Sequence, residues 1–146
     1  MRFDPQAAAI VLQQPWHRII EIPLDGTSPT LMSHRQLREV ARGRAPFDHY
    51  LGRFGHVYPL WDETAVAVWL DPALITREKT LLVGIDTTFT TNYAATMSWP
   101  VGDGPDWADP VHVVFAVDVQ KLDRLVVRLL TAAKPIAPQF GKGRKH

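Results

Sequence analysis

The hydrophobic pattern changes period once within residues 111–133, and that change marks the most clearly written part of the chain. Val111, Val113, Phe115, Val117 and Val119 share one parity, with His112 and Asp118 on the other, which is the period-two pattern of a half-buried strand. Leu122, Leu125, Val126, Leu129, Leu130 and Ala133 then fall on a single helical stripe. Asp118 stands where an N-cap belongs, and Pro135 stops the helix.

Upstream, Asp4-Pro5 reads as an N-cap followed by proline at the first helical position, with a short helix running to Gln14. Trp16 to Leu24 alternates as a strand and Asp25 to Thr30 is a loop. Ser33 and Gln36 form an S-x-x-Q capping box and Met32 with Leu37 a hydrophobic staple, so a helix is expected from Ser33 to Gly43. Arg44 to Tyr58 is expected to be a long loop with one helical turn around Asp48 to Arg53.

Thr64 to Leu70 is apolar on both parities, as a central strand covered on two faces would be; a helix capped by Asp62 is the competing reading. Asp71-Pro72 marks a turn. Thr80 to Asp86 and Thr88 to Trp99 read as further strands, and Pro100 to Pro110 as the loop of an antiparallel hairpin leading into Val111. The sum is an α+β fold: a mainly antiparallel sheet of about five strands with about three helices, the 33–43 and 120–133 helices packed on one face. Residues 1–134 are expected to form a single domain and 135–146 a basic, flexible tail.

Composition narrows the function classes. With no cysteine in 146 residues, disulfides, thiol catalysis and cysteine-based zinc sites are excluded, which suits a reducing, cytoplasmic setting. No apolar run reaches the 18 or so residues of a membrane span, and Ala7 to Leu12 lacks the flanks of a signal peptide. No cofactor motif is present, so none is expected.

Charge adds a contrast that the net value of +1 conceals. Residues 59–119 hold nine acids against Arg77 and Lys79, whereas residues 120–146 hold seven basic residues against Asp123. Arg35, Arg38 and Arg42 recur at helical spacing, as do Lys121, Arg124 and Arg128. If both helices lie on one side of the sheet, the two rows form a cationic patch suited to an acidic protein surface or to phosphates.

Catalytic motifs are sparse. The loop from Arg44 to Tyr58 interleaves Phe47, Tyr50, Phe54 and Tyr58 with Arg44, Arg53, His49 and His56, a combination suited to base stacking and phosphate contact. Its Arg53–Tyr58 segment lacks the glycine after the arginine of the RNA-recognition signature and carries His56 in an aromatic position, so it is not a match. Ser33 is explained by capping, and no serine sits in G-x-S-x-G. No H-x-x-x-H or H-E-x-x-H pair sets two imidazoles on one helical face, and no metal site is expected. Trp107, in an acidic Gly/Pro loop, is a candidate binding anchor.

The sequence alone thus favours a non-enzymatic binding module, a compact accessory subunit of bacterial or phage kind. It would engage an acidic protein or nucleic acid through Arg35, Arg38, Arg42, Arg53, Lys121, Arg124 and Arg128, with Trp107, Phe54 and Tyr58 as apolar anchors. The alternative is a small hydrolase or nuclease using His49, His56 and Asp62, which requires those three side chains to converge. A homo-oligomer with a structural role is the third reading.

Overall fold

The computed structural model describes residues 3–43 and 46–132, with Pro46, Phe47 and Phe54 described by backbone alone. In chain order its elements are α1 (Pro5–Leu12), β1 (Ile20–Glu21), α2 (Leu24–Thr27), α3 (His34–Val40), α4 (Pro46–Phe54), α5 (Trp61–Leu70), a 3-10 turn (Pro72–Leu74), β2 (Ile75–Ile85), β3 (Thr96–Pro100), β4 (Asp109–Val117) and α6 (Val119–Ala132).

Three helix starts form as their sequences dictate. Asp4 accepts from the Ala7 amide at 2.9 Å, with Pro5 at the first position of α1. The Gln36 amide donates to Ser33 Oγ at 3.3 Å and the Ser33 amide to Gln36 Oε1 at 2.7 Å, completing the capping box of α3. Asp118 accepts from the Lys121 amide at 3.0 Å at the head of α6. Each cap satisfies a helical N–H that has no partner within the helix.

The sheet runs β1-β4-β2-β3, with β2 antiparallel to both β4 and β3 and with β1 parallel to β4. β2 is central because its run Leu81–Ile85 is buried at every position, so it has neighbours on both edges and both faces. Leu81 pairs with Val111 on one side, and Leu82 with Trp99 on the other. Adjacent β4 valines point to opposite faces. Val114 joins Met32, Val68, Leu74, Leu122 and Val126 in one core, while Val111 and Val113 join Leu12, Leu81, Val83 and Ile85 in the other. α5 and α6 therefore pack on one face and α1 on the opposite one.

The α+β class and the packing of α3 beside α6 hold. Other expectations do not. The sheet is mixed, with four strands and six α-helices among the described residues, and helices cover both faces. Residues 64–70 are helical, in α5, because the second apolar parity of the run is the outer side of a helix and not the second face of a sheet. The expected strand 16–24 shrinks to Ile20–Glu21: Trp16 turns its indole back to donate to the Val11 carbonyl at 2.7 Å, and α2 begins at Leu24. β3 pairs with β2 and not with β4, since β2 lies between them.

Most of the expected strand 88–99 is a turn, because Asp86 accepts from the Thr88 amide at 2.9 Å and its backbone meets Ala94 and Ala95, closing a β2–β3 hairpin. The loop expected over 44–58 holds α4, which extends the predicted turn at 48–53. The tail 135–146 lies outside the described residues. No helix among the described residues is long and apolar enough to cross a membrane.

Candidate active site

The best-anchored candidate segment is the start of α5. Thr27, Thr30 and Thr64 are all buried, and a buried hydroxyl needs a partner. Thr30 Oγ1 donates to the Thr27 carbonyl at 2.6 Å and accepts from the Leu60 amide at 3.1 Å. Thr64 Oγ1 bonds the Leu60 carbonyl and lies 3.5 Å from Thr30 Oγ1. A bridge between Leu31 and Pro59 completes the clamp. Two chain segments 30 residues apart are thereby held at the residue before Trp61.

From that fixed point the chain displays a row of functional groups. Asp62 and Glu63 occupy the first turn of α5, where the positive end of the helix dipole favours carboxylates and no side chain caps the helix. Trp61 and Tyr58 are half-exposed beside them, ring centroids 6.5 Å apart and tilted by 40°. His56 meets Tyr58 edge-on at 6.0 Å. The result is a run of three aromatic rings followed in sequence by two carboxylates, groups of the kind that hold a planar heterocycle on π-faces and present negative charge.

Of the predicted hydrolytic trio, His56 lies in the segment leading to α5 and Asp62 in its first turn, with no contact described between the two side chains. His49 lies exposed on α4 and has no described contact with either. Among the described residues no group of three or more His, Asp or Glu could hold a metal ion. Trp61 was not singled out from sequence, although W-D-E before an apolar run carries the acidic first turn of a helix. The threonine clamp had no sequence signal, since its partners are distant in the chain.

A second polar feature lies on the α1 side of the sheet. There a cleft of about 610 Å³ is bounded by Glu21, Asp25, Leu81, Val83, Thr96 and Phe115, among others. Burial pushes the half-buried Glu21 carboxyl above its ordinary value. Asp25 at its rim is exposed, and no donor is described as bonding Glu21.

The cationic rows do meet. Arg35 of α3 and Arg124 and Arg128 of α6 line one groove, but Glu39 and Asp123 stand among them. Lys121 pairs with Asp118 at 3.7 Å, and Arg38 and Arg42 are exposed outside that groove. Arg53 lies exposed on α4; the side chain of Phe54 lies outside the described residues. Trp107 is no free anchor: its indole lies on Gly84 and meets Trp99 edge-to-face at 5.8 Å.

Comparison with known proteins decides between the readings. The sequence profile of the inosine-uridine preferring nucleoside hydrolases matches residues 1–124. No curated relative matches the sequence. Among solved structures, a plant nucleoside hydrolase, PpNRh1, superposes with a TM-score of 0.74 at 23% identity, covering 88% of this chain and 46% of its own. An inosine-guanosine nucleoside hydrolase superposes at 0.68 with 14% identity, covering 89% and 44%. A purine-preferring ribonucleoside hydrolase from Gardnerella vaginalis gives 0.64 with 21% identity, covering 88% and 45%. The chain thus spans less than half the length of these structures.

The profile match and the shared fold overturn the non-enzymatic binding module, with its protein-binding, nucleic-acid-binding and accessory-subunit roles, in favour of the hydrolase alternative. Segregated charge misled because both acids of the α3–α6 groove sit inside the cationic rows. The chain belongs to the inosine-uridine preferring nucleoside hydrolase family.

Proposed function

We propose that this chain takes part in hydrolysing the N-glycosidic bond of a nucleoside, with the start of α5 facing the reacting sugar. The observation that carries the reading is the family match over residues 1–124, which spans the clamp, the aromatic rings and both carboxylates. In the reaction the bond from the anomeric carbon to the base nitrogen breaks and a bond from that carbon to a water oxygen forms. The sugar gathers positive charge as the base departs, and Asp62 and Glu63 stabilise it. One carboxylate takes a proton from the attacking water, and the departing nitrogen receives one from the His56 imidazole. Trp61 and Tyr58 hold the base. Nothing in the reading needs His49.

The test is release of free ribose from inosine and from uridine by the protein isolated from its source cells in its native assembly. Release is expected, and Asp62→Asn is expected to lower it by about 100-fold. No release from any nucleoside, or full activity in both Asp62→Asn and Glu63→Gln, would overturn the reading.

A further inference from the structure

The groove between α3 and α6, about 350 Å³ in volume, holds charged groups that the nucleoside reading does not use. Two helical rows build it. Arg35 and Glu39 stand one turn apart on α3, Arg124 and Arg128 one turn apart on α6, and the buried Val127 lies at its floor. Two polar neighbours are already engaged: Gln36 Oε1 accepts from the Ser33 amide at 2.7 Å, and Thr131 Oγ1 donates to the Val127 carbonyl at 2.7 Å. What remains is charge. Arg35, Arg124 and Arg128 form no ion pair among the described residues, whereas Lys121 of the same helix pairs with Asp118. Asp123, also in the groove, has a buried carboxylate oxygen, Oδ1, with no hydrogen-bond donor among the described residues. A buried acceptor without a donor is rare in a folded protein and points to a donor supplied from outside the chain.

The mixture of charges selects the chemistry of that donor. A bare metal cation would face three guanidiniums, and a simple inorganic anion would face two carboxylates, so part of the lining repels each. A water molecule satisfies Asp123 but leaves the guanidiniums unmatched. Three arginines against two acids leave the groove with a charge of +1, which is complemented by a ligand carrying one ammonium and two carboxylates. A guanidinium matches a carboxylate through two parallel N–H···O bonds, and an ammonium brings three N–H donors for carboxylate oxygens. Arg124 and Arg128 repel each other at their i, i+4 spacing, and a carboxylate shared between them relieves that repulsion. We propose that the α3–α6 groove binds a small amino dicarboxylate, its ammonium on Asp123 and Glu39 and its two carboxylates on Arg35, Arg124 and Arg128. The groove shares no residue with the start of α5, so this site stands apart from the nucleoside reading.

The test is titration calorimetry of the full 146-residue chain at low ionic strength with L-glutamate, with glutarate, which lacks the ammonium, and with putrescine, which lacks the carboxylates. L-glutamate is expected to bind saturably at one site, glutarate about tenfold more weakly because it leaves Asp123 without its donor, and putrescine not at all. Asp123→Asn is expected to erase the preference for glutamate over glutarate. Arg124→Gln combined with Arg128→Gln is expected to abolish binding of both, with an unchanged circular dichroism spectrum. If Asp123→Asn fails to fold, Glu39→Gln at an exposed position carries the same expectation of a reduced preference for glutamate. No binding of L-glutamate would overturn the proposal. So would equal affinity for glutamate and glutarate, binding of putrescine, or glutamate binding that survives loss of both arginines.

Discussion

Thr30 and Thr64 bring their hydroxyl oxygens to 3.5 Å across 34 residues of sequence, in a region closed to water. The pair ties the end of α2 to the start of α5, so the placement of Trp61, Asp62 and Glu63 depends on two side chains that touch no solvent. Thr30→Val removes one of the two acceptors of the Leu60 amide, leaving the Thr30 backbone carbonyl at 2.9 Å, and the side-chain donor to the Thr27 carbonyl while keeping the volume. The expected cost is about 1–3 kcal/mol of unfolding free energy by urea titration. Thr30→Ser keeps the hydroxyl and is expected to lose less; equal losses in the two variants would contradict the clamp.

Trp107 lies so close to Gly84 that a Cβ there would sit 2.5 Å from its ring. Gly84→Ala is therefore expected to push the indole off the sheet, break its edge-to-face contact with Trp99 and destabilise the fold by about 1–3 kcal/mol. Denaturant midpoint and tryptophan emission report both effects. Unchanged emission would show that the loop is held by something else.

Glu21 carries a stability signature of definite sign. Because burial raises its folded value above the ordinary 4.5, charging it costs the folded state. Stability is therefore fully present below the ordinary value and falls as pH rises from there through the raised one. Glu21→Gln is expected to be more stable than the parent near pH 7, the difference vanishing near pH 3. An offset that is the same at both pH values would contradict a titrating origin.

Asp118 behaves in the opposite sense. The Lys121 amide bonded to its carboxylate, with the nearby charges of Lys121 and Arg124, holds it below the ordinary 3.8. Its contribution is present above that value and is lost as pH falls through the lowered one. Asp118→Ala is expected to fray the start of α6 at neutral pH, seen as faster amide exchange over residues 119–122, and to differ little from the parent in strong acid. Equal protection at neutral pH would contradict the cap.

How far the sequence could be read depended on how local each determinant is. Asp4, Ser33 with Gln36, and Asp118 act within four residues, so their helices were legible. The stripe from Leu122 to Leu130 was legible because only one side of α6 is apolar. α5 resembles a strand in sequence because Val66, Trp69 and Leu70 give it a second apolar side, which in one dimension looks like a strand covered on both faces. The Thr88–Ala95 alternation was real in sequence, but Asp86 captures the Thr88 amide and Ala94 takes a φ of 69°, which turns the chain. Of the site, Asp62 and His56 were nameable by chemistry. Trp61 and the threonine clamp depend on contacts made only after folding.

The proposed function has a nucleoside meeting this chain at the head of α5. The direct measurement is a two-dimensional NMR titration of the protein with inosine, following the indole N–H signals of the five tryptophans, with Trp61 assigned by loss of its signal in Trp61→Phe. A saturable shift of the Trp61 signal that Asp62→Asn weakens is expected, with the Trp99 and Trp107 signals unmoved. Inosine that shifts Trp99 or Trp107 and leaves Trp61 in place, or that shifts none of them, would contradict it.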